Sequence, residues 1–160
     1  MKRVRWRLSV GLAALLPLAS FSQAPRPVTP AAAKTKLEAV ADTHLLMEGL
    51  LQSNYRGLNR LLKEKPTDAE TWAFARGQAL LLGESGNLLM LRPPRNQGQE
   101  AWMQRSADLR EAGARLGRNL AARDYARSRA GVVELANVCN RCHGTFRIRT
   151  EIVPFGREEE

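Results

Sequence analysis

Asp124–Ile148 reads DYARSRAGVVELANVCNRCHGTFRI, a stretch that opens on a capping residue and keeps a helical spacing of its apolar side chains. Asp124 is a residue type that caps helix N-termini. Behind it Tyr125, Val132, Ala136, Cys139, His143 and Phe146 recur at helical spacing, which places them on one inward face. Working back, Trp102, Leu109, Leu116 and Leu120 mark a helix over about Glu100–Ala122. Residues 92–98 (RPPRNQG) form a loop, since adjacent prolines cannot sit in a helix interior. Before the loop, Thr67 and Glu70 compose a capping box that opens a helix ending near Leu91. Its inward residues are expected to be Trp72, Ala79, Leu80, Gly83, Asn87 and Met90. The first helix is expected from about Ala32 to Lys65, stopped by Pro66. Leu37, Val40, His44, Met47, Leu51, Tyr55, Leu58 and Leu62 make its apolar stripe.

Four long helices with short connections make antiparallel neighbours. The expected fold is therefore all-α, an antiparallel up-down-up-down four-helix bundle over residues 32–148. Residues 149–160, with Pro154, Gly156 and the acidic Glu158–Glu160, read as a flexible tail. Composition agrees: 23 Leu against 2 Ile and 8 Val is the wrong balance for a strand-rich domain, which leans on β-branched residues. Two cysteines exclude a disulfide-stapled scaffold. No nucleotide-cradling glycine loop and no nucleophile elbow occurs in the sequence.

At the other end, Lys2, Arg3, Arg5 and Arg7 precede an apolar run over Leu8–Leu18, and small residues follow to Ala24. That order is a secretory signal peptide, residues 1–24. Pro-rich residues 25–31 then form an extended linker. The apolar run is too short for a membrane span, so no stable span is expected after cleavage. The formal charge of +9 falls to +5 without the leader. A surface of that charge is ordinary for a soluble protein, and nucleic acid is not an expected partner. Export places the chain in the periplasm or an equivalent compartment.

Both cysteines lie in Cys139-Asn140-Arg141-Cys142-His143, the Cys-x-x-Cys-His pattern of covalent c-type haem attachment. Two thiols a helical turn apart can reach the two vinyl groups on one edge of the porphyrin. The next imidazole is then carried beneath the ring, within reach of the iron. A redox dithiol would want a βαβ context, which the sequence lacks. A zinc site would need four ligands, with carboxylates completing the set. The expected cofactor is one haem c.

The motif's place on the last helix, continued by Phe146 and Arg147, resembles the class II cytochromes c, the cytochrome c prime and cytochrome c-556 family. The likeness covers roughly residues 32–148. It implies that Cys139 and Cys142 hold the thioethers, that His143 is the proximal iron ligand and that Arg147 contacts the haem edge. Phe146 would pack on the ring or on the first helix. The family takes its distal residue from the first helix, where this chain offers Met47 and, one turn away, His44. They cannot both ligate one iron, because a turn rises about 5.4 Å. Met47 is the preferred distal ligand and His44 the lesser candidate.

The functional expectation is an electron carrier rather than an enzyme. The alternative is a gas-binding cytochrome c prime with five-coordinate iron, open to nitric oxide or carbon monoxide. A peroxidase using His44 as distal base ranks last, for want of a distal catalytic network. The redox partner is a protein the sequence does not identify, and the family likeness allows a homodimer through the first two helices. Arg105, Arg110, Arg115, Arg118, Arg127 and Arg129 could dock an acidic partner or simply form a solvated face.

Overall fold

The computed structural model describes residues 36–156, and Leu37 onward belongs to one unit. The leader and linker assigned to residues 1–31 lie outside the described residues. All regular structure among the described residues is helical. The first helix, α1, has three consecutive stretches: α-helical Thr43–Leu46, π-helical Met47–Gln52 and α-helical Ser53–Leu61. Then follow α2 (Ala69–Met90), α3 (Gln99–Ala121) and α4 (Tyr125–Thr145).

Adjacent helices run antiparallel, as paired contacts along them show. Leu80, Gly83 and Gly86 of α2 meet Gly117, Gly113 and Ser106 of α3 in descending order. A Cβ on Gly113 would lie 2.5 Å from the Gly83 nitrogen, and one on Gly86 would lie 2.5 Å from the Ser106 carbonyl oxygen. Side chains at those positions would force the two backbones apart. Gly131 of α4 lies against Leu116 of α3, while Arg115 pairs with Glu134 at 2.6 Å. Leu58, Leu62, Leu82, Leu116, Leu120, Val132 and Leu135 fill the common core with almost no exposure.

α1 begins at Thr43, not at Ala32, and residues 36–42 are not helical. Leu37 and Val40 continue the stripe in sequence but are 78% and 99% exposed, because no element faces them. The chain gains a partner only at Ala41, whose carbonyl accepts from Arg92 Nε at 2.8 Å. One residue later the Asp42 carboxylate caps α1 by accepting from Leu45 N at 2.8 Å.

The α2 cap also differs from the expected box. Asp68, not Thr67, caps the helix, accepting from Thr71 N at 2.7 Å. Its pKa is lowered by that backbone bond and by the Thr71 hydroxyl. The inward face of α2 is built on Ala75, Ala79, Leu82, Gly83, Gly86 and Leu89, whereas Leu80 is more than a third exposed. Gly83 and Gly86 stand where a Cβ would meet the α3 backbone, so the seam admits no side chain at those two positions.

Asp124 caps α4 as expected, accepting from Arg127 N at 3.0 Å. The helix closes with Arg147 at φ 57° and Ile148 N donating to His143 O at 2.8 Å, a left-handed C-terminal turn. The segment beyond is docked, contrary to the flexible tail read from Pro154 and Gly156. Asn140 bonds both backbone groups of Ile152, and Phe155 N donates to Asn59 Oδ1 at 2.9 Å. Residues 157–160 lie outside the described residues. Among the described residues, no helix is long and apolar enough to cross a membrane.

Candidate functional site

α1 and α4 are tied at one end. The tie is made by Tyr125 and Arg129. The Tyr125 hydroxyl donates to Lys63 O at 3.0 Å, and Arg129 Nη1 donates to Leu62 O at 2.7 Å. At the opposite end lies a small apolar cleft of about 20 Å³. Its walls are Met47 and Leu51 of α1, Leu89 of α2, Arg105 and Leu109 of α3, and Val138, Cys139, Cys142 and His143 of α4.

The helix period explains the α4 wall. Positions 139, 142 and 143 are separated by three and one, so they share a face one turn deep. Burial pushes the Cys139 thiol up to about 12, with a smaller push from Cys142. Cys142 is also raised, by burial first, although the nearby Arg105 guanidinium pulls against that. His143 Nδ1 lies 2.7 Å from the Thr150 carbonyl oxygen. A carbonyl only accepts, so Nδ1 carries the proton and Nε2 keeps its lone pair.

The π-helical stretch starts at Met47. Such wide turns occur often at functional sites. Here the stretch supplies two residues of the cleft wall, Met47 and Leu51. His44 does not share in it. Its side chain is 78% exposed and lies 3.4 Å from the Glu48 carboxylate. Arg147 is likewise absent from the cleft walls; it is exposed and terminates α4 in the left-handed conformation. Phe146 packs neither on α1 nor in the cleft but edge-on against Trp102, with ring centroids 5.2 Å apart. It also covers Gly98, where a Cβ would meet its ring at 3.2 Å.

Arg105 is the residue that the sequence reading placed elsewhere, among surface arginines. It lies three residues after Trp102 and four before Leu109, so the period of α3 already puts it on the inward face. Nη1 bonds Asp108 at 2.8 Å, while Nε is buried with no hydrogen-bond partner. A buried donor without a partner is costly, and a ligand with an acceptor group would relieve it. Among the described residues, no group of three or more His, Cys, Asp and Glu side chains gathers as a metal site. Comparison of the chain with family models, with curated proteins and with solved structures gave no match.

Proposed function

We propose that the chain is an exported c-type cytochrome, an up-down-up-down four-helix bundle with one covalent haem, acting in electron transfer. One observation carries the reading: the thiols and imidazole of Cys-x-x-Cys-His converge in an apolar cleft with the Met47 thioether on the facing wall. Bound there, haem supplies a one-electron iron couple, with Met ligation raising its potential. Cys139 and Cys142 are the covalent holders, and His143 offers Nε2 as proximal ligand. Met47 offers a soft sulfur that need lose no proton to bind. Leu51, Leu89, Leu109 and Val138 exclude water. Arg105 Nε is a ready donor to an acidic substituent of the ligand.

Two further features favour this over a redox dithiol or a zinc site. A dithiol couple works through a populated thiolate, and burial holds both thiols in the protonated form. Among the described residues, the carboxylates that would complete a zinc set do not gather around the motif. The cavity, about 20 Å³, is far smaller than ligand sites of about 300 to 1,000 Å³. Taking in a haem therefore requires α1 and α4 to part at this end, and the bonds from Tyr125 and Arg129 that join them lie at the other.

The test is production of the full chain with c-type cytochrome maturation machinery, followed by an absorption spectrum before and after denaturation. The expected result is haem absorbance that stays with the denatured polypeptide and a low-spin spectrum with methionine ligation. A colourless protein removes the reading. A high-spin five-coordinate spectrum keeps the haem but transfers the function to gas binding.

A further inference from the structure

We propose that the C-terminal segment Arg149–Ile152 is a strap that fixes the His143 imidazole, with the Thr150 carbonyl as its positioning group. The proposal rests on the haem reading above. An imidazole near a helix end is free to rotate, and its two nitrogens compete for the proton. Here the chain reverses after Phe146 through the positive φ of Arg147 and returns the Thr150 carbonyl to within 2.7 Å of His143 Nδ1. That bond selects the tautomer with Nε2 free and holds the ring's azimuth.

The carbonyl is not placed by chance contact. Two residues on, Asn140 Nδ2 donates to Ile152 O at 2.9 Å, and Ile152 N donates to Asn140 Oδ1 at 2.8 Å. One side-chain amide thus grips both backbone groups of a single residue, much as a neighbouring strand would. Asn140 lies between the two cysteines, so the strap takes its register from the attachment motif. Beyond it, Phe155 N donates to Asn59 of α1 at 2.9 Å, and the Arg129 guanidinium stacks 3.8 Å over the Phe155 ring. Ile152 and Phe155 pack against the core.

A hydrogen bond from the outer nitrogen of a ligating imidazole raises the basicity of the inner one. A more basic Nε2 favours ferric over ferrous iron, so the strap lowers the reduction potential. Asn140→Ala removes both Ile152 bonds and leaves the ligand set intact. Phe155→Ala removes the Arg129 stack and leaves the Asn140 grip. Midpoint potentials are measured for wild type and both variants as loaded holoproteins. The iron–imidazole stretching band is measured for all three, reduced, in a Met47→Ala background.

Asn140→Ala should raise the potential and lower the stretching frequency. Phe155→Ala should lower the melting temperature and move neither spectroscopic quantity. If Asn140→Ala leaves both at wild-type values, or Phe155→Ala moves them equally, the segment only packs and the proposal fails. If none of the proteins carries covalent haem while all remain folded, the haem reading itself fails, and the strap's role toward iron fails with it.

Discussion

Met47 and His44 lie three residues apart on α1, yet only Met47 lines the cleft, and His44 stands in solvent beside Glu48. An exposed pair of that kind contributes about 0–1 kcal/mol, so His44→Ala should change neither stability nor spectrum appreciably. Met47→Ala in the haem-loaded protein should convert low-spin iron to a high-spin or water-bound form. It should also lower the potential and admit carbon monoxide. Absorption spectra of the two variants, with and without carbon monoxide, check this. A changed His44→Ala spectrum beside an unchanged Met47→Ala spectrum would reverse the assignment. That Cys139, Cys142, His143 and Met47 would face one interior region was legible in the sequence, because motif spacing and a helical stripe are local signals. Arg105 was half legible: the α3 period pointed inward, but its charge suggested a surface. What no local pattern could give was the carbonyl on His143 Nδ1, since backbone groups have no signature in a sequence.

Four helix limits were read to within a residue, whereas α4 ends at Thr145, before the Phe146 expected on it, and α1 ends at Leu61 rather than Lys65. α2, α3 and α4 end or begin at Met90, Gln99, Ala121 and Tyr125, beside expected limits of Leu91, Glu100, Ala122 and Asp124. α1 was drawn too long because its stripe continues past the point where anything faces it. A stripe reports the capacity to be buried, whereas helix length follows the partner. The glycine seam between α2 and α3 was also missed, since close approach is a property of two helices together. It yields a prediction whose sign depends on position. Gly77 of α2 has nothing within 4 Å of where a Cβ would stand, so Gly77→Ala should stabilise by up to about 1 kcal/mol through helix propensity. Gly113→Ala gains the same propensity but meets the Gly83 backbone, and overpacking of about 1–3 kcal/mol should make it destabilising. Urea unfolding of the two variants measures both signs in one experiment.

For the molecule as a whole, four of the six arginines named on α3 and α4 are already committed within the chain. Arg105, Arg115, Arg127 and Arg129 have partners in Asp108, Glu134, Asp124 and the Leu62 and Lys63 carbonyls. That weakens the idea that the arginines of α3 and α4 form a single docking face. The proposed location and cofactor meet in one measurement. Intact mass of protein recovered from its native compartment should correspond to a chain beginning between about Phe21 and Arg26, plus one haem. A mass retaining residues 1–20 would indicate an anchored form. The double variant Cys139→Ala, Cys142→Ala should lose haem on denaturation and melt at lower temperature than wild type, because without the thioethers the group that fills the cleft can dissociate and leave the surrounding apolar side chains unpacked. Equal melting temperatures would mean that the cleft's occupant contributes nothing to the fold.

The wide turn over Met47–Gln52 has an evolutionary consequence. A π-helical turn carries one residue more than a regular turn, and Gly49 within it stands in open space. Losing the Gly49 codon would let the backbone close into regular α-helix while the flanking stretches kept their faces, because the wide turn is what absorbs the extra residue. The stretch thus behaves as a one-residue insertion that the helix has accommodated without turning its neighbours away from the core. The Gly49-deleted protein should fold with Leu46 still buried, as circular dichroism and urea unfolding would register.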